Sequence, residues 1–326
     1  MMAVVSLFVA TALSVTTIPT QTDVQWIGVS TPTPNVVWLS GSQATIARST
    51  DGGNSWEYFN PTNEQLQFRD IEALDAHHAF ALSIGESGDS RVYYTANGGR
   101  NWQLRYRAPS NQFLNCLAIG HRGEAWVYSD TQEGRWTMVR SVDGRNWLTA
   151  SNVVDSAPLP DEGGLAASGG CIRYNNQTWA IGTANGATAR LLLKRHFGVR
   201  YRAIDTPLPA GPQAGIASVW PISHEHIILA GGDLNNPAAT PRIVRYQQGE
   251  FTALPEPSFP GALYSLTVRE NGDMIVTNPQ GAGYLKADAT EWQSLSTANI
   301  WNSACNDQAC YLVGQDGFVA RISFDE

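Results

Sequence analysis

The chain has 326 residues, a net charge of −8 and only 15% charged residues, with 30 Gly, 17 Pro and 11 Trp. The acidity, two lysines (Lys194 and Lys286) and no basic run exclude nucleic acid and an anionic membrane as main partners. A hydrophobic share of 43% supports a sizeable core.

Residues 3–12 are apolar, and Ala10-Thr11-Ala12 matches a small-x-small cleavage site. Residues 1–12 therefore read as a signal peptide that lacks its basic n-region, and a periplasmic or secreted protein is expected. No other stretch approaches the ~20 apolar residues of a membrane span. Ser14-Val15-Thr16-Thr17-Ile18 follows as a strand that would survive cleavage.

The remainder repeats, and each unit begins with a short strand. The first strands are Val24-Gln25-Trp26-Ile27, Phe68-Arg69-Asp70-Ile71, Phe113-Leu114-Asn115-Cys116 and Gly164-Leu165-Ala166-Ala167. Gly215-Ile216-Ala217-Ser218, Leu263-Tyr264-Ser265-Leu266 and Ile300-Trp301-Asn302-Ser303 continue the series. Second strands follow, as at Val36-Val37-Trp38-Leu39 and Tyr311-Leu312-Val313-Gly314, then third strands such as Val92-Tyr93-Tyr94.

Third strands lead into a recurring phrase. It is Ser49-Thr50-Asp51-Gly52-Gly53-Asn54-Ser55-Trp56, then Thr95-Ala96-Asn97-Gly98-Gly99-Arg100-Asn101-Trp102, then Ser141-Val142-Asp143-Gly144-Arg145-Asn146-Trp147. A hydroxyl residue, an Asp or Asn that can accept turn N–H groups, glycines able to take φ > 0 and a plugging indole make a hairpin device. A period of roughly 45 residues is that of a four-stranded propeller blade. The middle units lose the phrase but keep the rhythm, and the last stops after three strands. Closure by the 14–18 strand would remove the free edge. The expectation is all-β: a single seven-bladed β-propeller of four-stranded antiparallel blades over residues 13–326.

The three phrases resemble the Asp box, or BNR repeat (S-x-D-x-G-x-[ST]-W), of sialidases, sortilin-type receptors and the photosystem II assembly-factor family. The first copy fits fully, the second has Asn97 for Asp, and the third is one residue short. Phe68-Arg69-Asp70-Ile71-Glu72-Ala73, Ala166-Ala167-Ser168-Gly169 and Ala230-Gly231-Gly232-Asp233 resemble bacterial relatives of that last family. The similarity runs from about Asp23 to the C-terminus. It implies recognition of another polypeptide, with Ser49, Asp51, Gly53, Trp56, Asn97, Gly99, Trp102, Asp143, Gly144 and Trp147 as structural residues. Nothing in it implies a photosynthetic setting. The family's partner surface is arginine-rich, whereas this chain is acidic.

Chemistry is scarce. The glycine-rich stretch at 163–170 lacks dinucleotide-binding spacing, there is no P-loop lysine, and no cofactor is predicted. His224-Glu225-His226 places two imidazoles on one strand face, and His77-His78 sits at a turn; neither brings a third ligand, so no metal is predicted. Glycan chemistry of the sialidase kind needs three arginines, a Tyr activated by Glu and an acid. Arg69, Arg173, Tyr264, Glu72 and Asp70 supply only part of that set. A sialidase-like hydrolase or a lectin therefore stands as the alternative to a non-enzymatic binding or assembly module.

Aligned inner strands place Trp26, Asp70, Asn115, Ala217, Ser265 and Asn302 at one level of the channel, with Ser168 near it. Gln25, Arg69, Leu114, Ile216, Tyr264 and Trp301 form the next level. Arg69, Asp70, Glu72, Asn115, Trp301 and Asn302 are accordingly the candidate partner-binding residues at one channel mouth. Cys305 and Cys310 flank a hairpin turn at Asp307-Gln308, opposite one another at disulfide range. Cys116 and Cys171 fall on different repeats, with no sequence reason to pair them.

Overall fold

The computed structural model describes residues 13–240 and 242–324, so the expected signal segment, 1–12, lies outside the described residues. Seven four-stranded antiparallel sheets follow one another around a channel. The inner strands are Trp26–Thr33, Gln67–Ala73, Leu114–Ile119, Ile172–Asn175, Ala214–Ser223, Ser265–Val268 and Ile300–Cys305, in blades one to seven. Leu13–Thr17 pairs antiparallel with Val319–Phe324 and supplies the outer strand of blade seven. The ring is thus closed by strand exchange between the termini, and Val319–Phe324 is not left as an edge strand. No described helix is long and apolar enough to cross a membrane.

The phrase turns share one hydrogen-bond plan. In blade one the Gly53 N–H donates to Ser49 Oγ (2.8 Å) and the Ser55 N–H to Asp51 Oδ1 (2.9 Å). In blade two the Gly99 N–H donates to Thr95 Oγ1 (3.0 Å) and the Asn101 N–H to Asn97 Oδ1 (2.9 Å). The shorter third turn gives Asp143 Oδ1 the N–H groups of Arg145 and Asn146, both at 2.8 Å. Gly52 and Gly53 stand at φ 71° and 94°, a conformation costly for any residue with a Cβ.

Each indole then wedges against the preceding blade. Trp102 meets Trp38 edge-on at 6.2 Å, and Trp147 lies 6.0 Å from Phe80. Trp56 joins the cluster around Tyr311 and Ile18 of blade seven. Only Trp147 is fully buried, at 8% exposure; Trp56 and Trp102 are half-buried. The core therefore sits between blades, as in the cluster of Trp126, Trp136, Trp179 and Tyr201 joining blades three and four.

Three sequence expectations need correction. The inner strand of blade four is Ile172–Asn175, because 164–167 forms no strand. His224 and Glu225 occupy the turn before the strand His226–Asp233, so the two imidazoles do not share one strand face. The channel levels are also displaced in three blades. Inner strands carry a bulge between Trp26 and Gly28, Phe68 and Asp70, Leu114 and Cys116, Ile216 and Ser218, and Ile300 and Asn302. Two residues then face one partner, which shifts every later side chain by one. Gly28, Cys116 and Ser218, not Trp26, Asn115 and Ala217, share the level of Asp70 and Asn302. Trp26 is fully buried in the core between blades one and seven.

Candidate functional site

The level just after the bulge stitches the blades together. Asp70 Oδ2 accepts the Leu117 N–H of blade three at 2.8 Å. Ser218 Oγ accepts the Leu266 N–H of blade six (3.1 Å), and Ser265 Oγ the Ser303 N–H of blade seven (3.3 Å). Between blades three and four the same level carries a disulfide, Cys116–Cys171, with Cα atoms 5.8 Å apart. This pairing had no sequence signal, since the bulge hides that the two thiols stand at equivalent positions. The expected bond Cys305–Cys310 is present, across register partners flanking the hairpin.

The segment 163–170 crosses the channel and plugs it. Its start is held by Asp130, whose Oδ1 accepts the Gly164 N–H (3.0 Å), and by Tyr128, whose hydroxyl donates to Gly163 O (2.8 Å). Farther along, Arg69 Nη1 of blade two donates to Ala166 O at 2.9 Å. Ser168 Oγ donates to Tyr264 O (2.5 Å), and Asn302 Nδ2 donates to Ser168 O (2.6 Å). Gly169, at φ 76°, lies on the Asp70 carboxyl, where an added Cβ would approach within 2.4 Å. The run Gly-Gly-Leu-Ala-Ala-Ser-Gly-Gly is small because it threads between seven inner strands. Beyond it, Gly170 O accepts the Val219 N–H of blade five, and Cys171 makes its disulfide.

The plug divides the candidate site in two. On the face opposite the phrase turns, Arg69, Asn115 and Trp301 meet, as expected, with Tyr264, Asp130, Phe113 and Leu234 around a bowl of about 400 Å³. Arg69 lies over the Trp301 ring at 5.2 Å, Tyr264 meets that ring edge-on at 5.2 Å, and Trp301 Nε1 donates to Asn299 Oδ1 (2.9 Å). Burial lowers the Arg69 pKa against the pull of Tyr264, and burial raises Tyr264 against the pull of Arg69. Asp130 is also raised by burial, opposed by the Asn115 amide, which donates to Oδ1 at 2.9 Å.

Asp70, Glu72 and Asn302 are not at that mouth. They face a second chamber of about 180 Å³ on the phrase-turn side, with Arg173, Trp220 and Thr267. Burial pushes Glu72 up to about 7, with Arg173 opposing, and pushes Asp70 up with Glu72 adding to it. The residues that sialidase-type chemistry would combine are therefore separated: Arg69 and Tyr264 line one chamber, Arg173, Glu72 and Asp70 the other. Among the described residues no group of His, Cys, Asp and Glu is arranged to hold a metal.

No family model matches the chain, and no curated protein matches it. Solved structures match throughout. YCF48 bound to D1 peptide is similar with a TM-score of 0.66 and 13% identity, over 95% of this chain and 96% of that one. YCF48 from Cyanidioschyzon merolae has a TM-score of 0.66 and 12% identity, over 95% and 98%. A catalytically inactive virginiamycin B lyase from Staphylococcus aureus, with quinupristin, has a TM-score of 0.69 and 12% identity, over 96% and 99%. At such identities the likeness is one of fold.

Proposed function

We propose that this chain is a non-enzymatic binding or assembly propeller of the Asp-box kind that recognises a polypeptide at the bowl-shaped mouth. The observation that carries the reading is the floor that the plug gives this mouth. A closed bowl with a guanidinium laid over Trp301 and a tyrosine edge beside it presents the residue types that anchor protein partners. The floor adds fixed backbone groups, and the rim adds Asn115 and Asp130. YCF48, of the same fold, is solved with a D1 peptide, which supports a peptide as the class of ligand. Two disulfides suit export to an oxidising compartment, in keeping with the signal-like 1–12 segment.

The test is site-specific photocrosslinking in the native cell, with the probe at position 301 or, as a control, at position 145 on the opposite face. One polypeptide adduct at 301, lost when Arg69→Ala is added, is expected. The same adduct at 145 but not at 301 would move the site to the phrase-turn face. Turnover of sialosides or other glycosides by purified protein, abolished by Glu72→Gln, would replace the binding reading by the glycan-acting one.

A further inference from the structure

The chamber on the phrase-turn side holds two charges of opposite sign that do not meet. Glu72 comes from the inner strand of blade two and Arg173 from that of blade four, on different sides of the channel. Among the described residues, neither makes a hydrogen bond or an ion pair; each feels the other only across the space. Arg173 Nε is buried and without a partner. A guanidinium carries five donors, and leaving a buried one unmet costs free energy.

Most of the other polar groups of the chamber are already committed. Asn302 holds the plug and accepts from Ser265 and Ser303, Thr267 donates to Ser303 O, and Ser30 Oγ accepts the Ala73 N–H. Asp70 holds blade three and lies under Gly169. Arg173 itself is set in place by Trp220, whose ring lies 4.2 Å from its Cζ. The fork is thus oriented without its hydrogen-bonding capacity being used, as in a site prepared for a carboxylate. Glu72 is the counterpart for a cation.

We propose that this chamber binds a small zwitterion, an α-amino acid with a short side chain, its carboxylate on Arg173 and its ammonium on Glu72. The volume of about 180 Å³ is below the 300–1,000 Å³ typical of drug-sized ligands, which restricts the occupant to such a molecule. Entry is from the phrase-turn face, where Trp220 and Cys305 also line a wider groove with Ile222, Asn175 and Arg269. A bare anion would leave Glu72 unpaired and a bare cation would leave Arg173 unpaired, so each half-ligand binds less well than the zwitterion. The site lies across the plug from the mouth and stands or falls independently of it.

Isothermal titration calorimetry of the full chain with glycine, alanine and serine, against acetate and methylamine as half-ligands, tests the assignment. A saturable heat with at least one amino acid, and none with either half-ligand at equal concentration, is expected. Arg173→Gln and Glu72→Gln should each weaken that binding about tenfold or more. Arg173→Lys, which keeps the charge but not the fork, should weaken it too, and Trp301→Ala should leave it unchanged. Circular dichroism confirms that each variant is folded before titration; if Arg173→Gln unfolds, Arg173→Lys decides. No saturable heat with any of the three amino acids means that the chamber holds water only and overturns the proposal. So does binding that survives both Arg173 variants.

Discussion

Trp147 and its two counterparts carry the same turn but unequal burial, and the difference sets their energetic weight. Trp147→Ala should destabilise by about 3–5 kcal/mol, as truncation of a buried aromatic does. Trp56→Ala and Trp102→Ala should cost less, since both indoles are half-buried. Urea denaturation of the three variants reads this order, and equal losses would contradict it. Glu72 makes a different prediction. Its folded pKa, raised from 4.5 to about 7, means that folding favours the proton. The stabilisation is complete below about pH 4.5 and is lost as pH rises through about 7. Asp70, raised beside it, acts in the same direction, while Arg173 opposes both. Across pH 5 to 8 the wild-type Tm should therefore fall relative to that of Glu72→Gln. A difference independent of pH would show that Glu72 is ionised throughout.

Among the elements, the inner strands and the plug decide the geometry of the site. Asp70, Cys116 and Ser218, each just after a bulge, bond the next blade, so the levels of the channel follow the bulge rather than a simple count along the sequence. That Arg69, Asn115 and Trp301 lie at one mouth of the channel was legible because bulky or polar side chains recur at the starts of inner strands. Their separation from Asp70, Glu72 and Asn302 was not legible, because 163–170 reads as one more short strand. The disulfides differ in what they close. Cys116–Cys171 spans 55 residues and ties the end of the plug to blade three, while Cys305–Cys310 spans only 5. Replacing Cys116 and Cys171 by Ser should cost about 2–5 kcal/mol, and replacing the hairpin pair should cost less. Guanidinium melts of the two double variants measure this, and the reverse order would contradict it. Peptide mapping without reduction should recover both bonds.

Across the whole molecule, stability depends on closure. Leu13–Thr17 covers the edge strand Val319–Phe324 through five register pairs. A chain beginning at residue 19 should melt lower and associate through the uncovered edge, seen as a concentration-dependent shift in sedimentation. A monomeric truncation with the parental Tm would show that blade seven needs no outer strand. By itself the sequence determined the all-β class, the seven units, the exchange of the terminal strand and the hairpin bond of Cys305. These follow from local rules: alternating strands, glycine turns at a fixed period, and partners a few residues apart. Only the tertiary structure decided that 163–170 crosses the channel, that Cys116 meets Cys171, and that Glu72 and Arg173 face each other unpaired. Those relations join residues 55 to about 100 positions apart across a closed ring, and a one-residue bulge in five of the seven inner strands sets which side chains meet.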